Sequence, residues 1–84
     1  MAAMIRTPIE VAEIIRRFLS GGSWDWDDYT SIRIKGRNLD AIRLRCVAIH
    51  DEYPPDDRGA YCNEEGRAEL ARLADEAERL AGSS

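Results

Sequence analysis

Cys46 and His50 stand four residues apart, a spacing that puts both on one helical face, and Cys62 follows with Asp51 and Asp56 near it in sequence. Thiolate sulfur and imidazole nitrogen are zinc ligands, so this group offers three or four donors. Strong zinc signatures carry paired close cysteines, whereas here the close pair is one cysteine with one histidine. A buried Cys46 acting as a small hydrophobe and a capping His50 near a helix C-terminus explain the same letters, and that reading is preferred. As nucleophile and base the pair would lack a third orienting group and oxyanion donors on a rigid frame. One histidine and two cysteines in 84 residues also exclude a multi-histidine cage and a disulfide framework. The chain is therefore expected to be non-enzymatic and without a metal or other cofactor, with Cys46, His50 and Cys62 as secondary zinc candidates.

Trp24, Asp25, Trp26, Asp27, Asp28 and Tyr29 hold half of the chain's six aromatic residues and three carboxylates. A calcium loop beginning at Asp25 fails, because its fifth and sixth positions are Tyr29 and Thr30 where an oxygen ligand and glycine are required. Two readings remain. The indoles could close the core of a small domain, or the segment could be an acidic, aromatic surface selecting a basic protein partner. A second stretch combines the same chemistry in Tyr53, Asp56, Asp57 and Tyr61. The expected partner-binding residues are thus Asp25, Asp27, Asp28, Tyr29, Tyr53, Asp56, Asp57 and Tyr61. They form one surface if the first connection folds back along the helices, and alanine at Tyr29 or Tyr61 would then weaken binding without comparable loss of stability.

The net charge is −4, with ten acids and four arginines in residues 51–84, so the chain as a whole repels polyanions. Arg33, Lys35, Arg37, Arg43 and Arg45 form a basic run interrupted by Asp40. It could follow a phosphate backbone, but pairing with the acidic C-terminal helix or simple solvation is favoured over nucleic-acid binding. The apolar share of 44% and charged share of 33% fit a single soluble domain and exclude a membrane span. A cytoplasmic location with reduced thiols is expected, since the N-terminus lacks a signal-peptide apolar stretch.

Positioning these groups falls to helices. Thr7, Pro8 and Glu10 form a capping box, and Val11, Ile14, Ile15, Phe18 and Leu19 give an apolar stripe that Gly21 and Gly22 end. A second helix is predicted from an Asn38 cap until Pro54 and Pro55 stop it; Leu44, Val47 and Ala48 widen its apolar arc, making it the central, multiply covered helix. A third opens after Asn63 with the seam Leu70, Leu73, Ala77 and Leu80, and pairs Arg72 with Glu76 and Asp75 with Arg79 on its outer face. Thr30, Ile32 and Ile34 alternate like a strand without a partner strand, so that piece is expected to lie extended over the helices; self-pairing in a homodimer is the alternative.

The blocks WDWDDYTSI, DEYPP and AYCNEEG, in that order, resemble a group of short uncharacterised bacterial proteins over residues 11 to 80. That resemblance implies a bacterial cytoplasmic domain and supplies no activity. The size and charge are similar to those of colicin-type immunity proteins, whose helix count and tyrosine motif do not align.

The predicted fold is all-α, with helices at 8–20, 38–51 and 64–81, a long structured first connection with room for a turn of helix or a short extended piece, and frayed ends at 1–6 and 82–84. The predicted core is Val11, Ile14, Ile15, Phe18, Leu39, Ile42, Cys46, Ile49, Leu70, Leu73, Ala77 and Leu80, sealed by Trp24 or Trp26. Phe18→Ala is expected to cost ~3–5 kcal/mol. The expected function is a small acidic protein-binding module of inhibitor, antidote or adaptor type, with Cys/His metal binding or nucleic-acid binding as alternatives.

Overall fold

Thr7 starts the first helix as its sequence dictates. Its hydroxyl accepts from the Glu10 N–H at 3.1 Å, and the Glu10 carboxylate accepts from the Thr7 N–H at 3.0 Å. The computed structural model describes residues 6–21, 26–56 and 60–82, and in it the chain is all-α. Four helices follow in order: α1 (Pro8–Leu19), α2 (Trp26–Ser31), α3 (Arg37–Glu52) and α4 (Glu64–Gly82). Gly21, just past α1, has φ 104°, a backbone conformation that glycine adopts without a Cβ clash. Trp24, Asp25, Asp57, Gly22 and the extreme ends lie outside the described residues.

The six-residue α2 is the turn of helix for which the first connection had room, and it takes Thr30 out of the expected extended piece. Its residues Trp26 and Tyr29 are three apart and both buried, which helical periodicity satisfies and strand alternation does not. Asp27 and Asp28 sit in its positively polarised first turn, and the Thr30 hydroxyl donates to the Trp26 carbonyl at 3.0 Å. Residues 32–36 then leave the helix, with Ile34 buried beneath them at 2% exposure. The expectation of a piece laid over the helices holds for this shorter stretch.

Asn38 is not the cap of α3; Gly36 takes that place with φ 114° and no side-chain hydrogen bond. The C-terminal boundary falls at Glu52, ahead of Pro54. At α4 the Asn63 side-chain oxygen accepts from the Gly66 N–H at 2.9 Å. The central helix is α4 rather than α3, since both α1 and α3 lie along it. Both run antiparallel to it: Arg67 near the α4 start donates to the Leu19 carbonyl at the α1 end, and the Asn63 N–H donates to the Tyr53 carbonyl at the α3 end.

The predicted seams are buried and Trp26 seals the core as expected, with Tyr29, Ile34, Cys62, Ala12 and Ala74 added to it. Phe18 and Leu80 are corrections: each is partly buried and rests on the core's edge. Leu44 and Val47 are a second correction, at 53% and 39% exposure, because they lie on the face of α3 opposite its buried seam of Leu39, Ile42, Cys46 and Ile49. Asp75 and Glu76 reach across to Arg16 of α1 and Arg45 of α3 at 2.9 and 3.0 Å, where guanidinium groups come within reach.

Candidate functional site

Cys46, His50 and Cys62 are not brought together. Cys46 is fully enclosed on α3, where its sulfur faces the Tyr29 hydroxyl at 3.6 Å. His50, one turn on, is exposed and its Nδ1–H donates to the Tyr61 carbonyl at 2.7 Å, which fixes the proton on that nitrogen because a carbonyl only accepts. Cys62 is buried against the start of α4, so close that a Cβ on Gly66 would stand 2.7 Å from the Cys62 Cβ. Among the described residues no cluster of three or more histidine, cysteine or acidic side chains could hold a metal. Burial pushes the Cys46 thiol up to about 12 and raises that of Cys62 as well, so both stay protonated at neutral pH. Each behaves as a small apolar side chain.

The two acidic, aromatic stretches do meet. Phe18 stacks on Trp26 with ring centres 4.0 Å apart, and Tyr61 sets its ring edgewise to both at 5.4 Å. This cluster joins the end of α1, the start of α2 and the connection before α4. The first connection therefore folds back, and the two stretches share one end of the molecule. Their aromatic members, however, are mainly structural. Tyr29, expected on the surface, is enclosed at 0% exposure, because its place one helical turn from Trp26 points it inward. Tyr61 is half-buried and donates to the Cys46 carbonyl at 2.9 Å, and burial pushes its hydroxyl up to about 12. Tyr53 is likewise partly covered, while Asp27, Asp28 and Asp56 remain exposed.

The basic run divides. Arg43 is buried at 9% exposure and works inside the fold: its Nε donates to Asp40 and its guanidinium to the Thr30 carbonyl, both at 2.8 Å. The same Asp40 oxygen accepts from the Ile34 N–H at 3.0 Å. The Arg43 hydrogen bond, reinforced by the Ile34 amide, holds the Asp40 carboxyl below its usual range. Arg45 turns to Glu69 and Glu76 of α4. Arg33, Lys35 and Arg37 are exposed and make no side-chain hydrogen bond or ion pair among the described residues. They rim a groove of about 480 Å³ lined also by Ile34, Gly36, Asp40, Ala41 and Leu44.

This groove, with Leu44 and Val47 continuing from it along α3, is the part of the surface that sequence reasoning missed. A signal existed: at about 100° per residue, positions 41, 44 and 47 centre on the side of the helix opposite the 39, 42, 46 and 49 seam, so they had to face elsewhere. What the spacing could not say is that no other element covers that face, which leaves Leu44 and Val47 exposed. Among the described residues no helix is long and apolar enough to cross a membrane. Comparison with protein-family models, curated proteins and solved structures finds no match.

Proposed function

We propose that this chain is a non-enzymatic protein-binding module of the inhibitor, antidote or regulatory adaptor kind. The observation that carries the reading is the open face of α3. Ala41, Leu44 and Val47 recur at three-residue steps and stay in solvent, while the opposite face of the same helix is buried. An apolar strip that continues out of a groove is the kind of surface a protein partner covers. The test is capture by the immobilised protein from lysate of its own source organism. A protein retained by the wild type and lost by the Leu44→Asp/Val47→Asp double variant, with helical circular dichroism unchanged, is the expected result. Equal retention by both proteins would refute the assignment of this face.

A second reading places a basic partner at the other end of α3. It is supported by the Trp26–Tyr61 contact, which draws the α2 start and the connection before α4 together, leaving Asp27, Asp28 and Asp56 exposed. Asp27→Lys/Asp28→Lys should then abolish capture that Leu44→Asp leaves intact. Metal binding and nucleic-acid binding are the remaining alternatives, and stoichiometric zinc in the purified protein would favour the former.

A further inference from the structure

We infer that the groove at the start of α3 takes an acidic amphipathic segment of a protein partner: an apolar side chain on the Ile34, Ala41 and Leu44 floor, with carboxylates against Arg33, Lys35 and Arg37. This rests on the protein-binding reading and adds the partner's chemistry to it.

Two properties of the groove select that occupant together. Its floor is apolar, and its volume of about 480 Å³ is in the range of clefts that enclose side chains or small ligands. Its rim carries three cations that form no ion pair of their own, Arg33 acting on Asp40 only through space, whereas Arg16, Arg43, Arg45 and Arg72 are each tied to a carboxylate of the protein itself. Asp40 lines the groove too, but its charge is taken up by Arg43 and the Ile34 amide. The local field is therefore positive on a chain whose net charge is −4.

A nucleic acid matches only the rim. Three contacts would release few counterions, the acids of residues 51–84 repel a polyanion, and exposed leucine and alanine offer a phosphate backbone nothing. A second copy of this chain matches less well than a separate partner: Glu69, Asp75, Glu76 and Glu78 on α4 already face Arg16, Arg45 or Arg72, and the exposed Asp27 and Asp28 are flanked by Trp26 and Tyr29, which are buried and offer the floor no anchor. A segment with one apolar anchor and a few flanking carboxylates satisfies both floor and rim. Its charges set orientation and association rate, and its anchor supplies the hold.

The experiment is an amide-resonance titration of the isotope-labelled full chain with three probes. One is a synthetic amphipathic peptide with leucine anchors and glutamates, the second replaces every glutamate by lysine, and the third is an oligothymidylate. The glutamate peptide should shift amides of residues 33–37, 41 and 44 in a salt-sensitive way, and the lysine peptide should not. Lys35→Glu/Arg37→Glu should weaken the glutamate peptide by roughly tenfold or more, as expected for reversal of complementary rim charges. Both residues are exposed and unbonded, so the variant keeps its fold, which its resonance dispersion verifies. Leu44→Asp should abolish binding with the rim intact.

Equal binding of the two peptides at residues 41 and 44 would overturn the acidic assignment while leaving a protein-binding face. Tighter binding of the oligothymidylate at residues 33–37 would overturn both readings. Shifts at these positions that depend on protein concentration alone would make the occupant a second copy. Absence of shifts with either peptide would overturn the inference, and the lysate comparison of wild type with Leu44→Asp/Val47→Asp would still decide the broader reading.

Discussion

Replacing Tyr29 with alanine removes a ring that is 0% exposed, touches Trp26 and sets its hydroxyl against the Cys46 sulfur. Loss of so enclosed an aromatic should cost about 3–5 kcal/mol, measurable by urea unfolding, and would disable binding only by disabling the fold. A stable, folded Tyr29→Ala protein would mean that α2 does not dock as described. Phe18→Ala should cost less than the range for a fully enclosed ring, because Phe18 is only half-covered and its stacking on Trp26 is at the core's edge. The two cysteines make a second prediction at this scale. Burial raises both thiols, Cys46 to about 12, so an aromatic disulfide reagent at about pH 8, where an ordinary free thiol reacts readily, should label neither until denaturant is added. Rapid labelling of Cys46 in the native protein would reopen the nucleophile reading. The inertness of Cys46 was legible from its position on an apolar seam; the closeness of Cys62 to Gly66 was not, since it depends on how the connection enters α4.

Between elements, the Asp40–Arg43 pair adds polar links among three pieces that also share the apolar core. Arg43 reaches back to the Thr30 carbonyl in α2, and Asp40 holds the Ile34 amide in the piece between α2 and α3. Asp40 has a folded pKa lowered from 3.8, first by Arg43 and then by the Ile34 amide. Its contribution is therefore fully present above the ordinary carboxylate range and is lost as pH falls through the lowered folded value. Asp40→Asn should flatten the loss of stability on acidification, and in the wild type the Ile34 amide should lose exchange protection before the α1 amides do. Unchanged acid sensitivity in Asp40→Asn would remove this pair from the account. Helices α1 and α4 could be read from the sequence because a cap and a three-four stripe are local signals. The start of α3 could not, since Gly36 takes the cap position that Asn38 seemed to offer. Nor could α2: the alternation at 30, 32 and 34 competed with the three-residue step from Trp26 to Tyr29, and the step won because both rings find the core.

At the scale of the whole molecule, charge is sorted along α3. Ion pairs to α4 take up Arg45 midway, the free cations at 33, 35 and 37 gather at its start, and exposed Asp56 lies beyond its end. Sixteen residues of helix separate the two poles by about 24 Å, more than two Debye lengths in physiological salt. The fields of the two poles are therefore largely independent of one another in physiological salt. The sequence showed the acidic bias of residues 51–84 but not which basic groups it would neutralise, because that depends on α1 and α3 both running antiparallel to α4. Those cross-helix pairs orient more than they stabilise. Arg16 and Arg45 remain 44% and 53% exposed in their ion pairs, so each pair is worth at most about 1 kcal/mol. Arg16→Ala and Arg45→Ala should each lower unfolding stability by less than ~1 kcal/mol per pair lost, well below the cost of Tyr29→Ala, and moderate salt should shrink the difference further. The informative readout of Arg45→Ala is charge: Glu69 and Glu76 lose their shared partner, the α4 face becomes more acidic, and an acidic peptide should bind the groove more slowly than in the wild type at low salt, the difference closing as salt is added. A stability loss as large as that of Tyr29→Ala would instead place the ion pairs, not the aromatic and aliphatic core, at the centre of what holds the helices together.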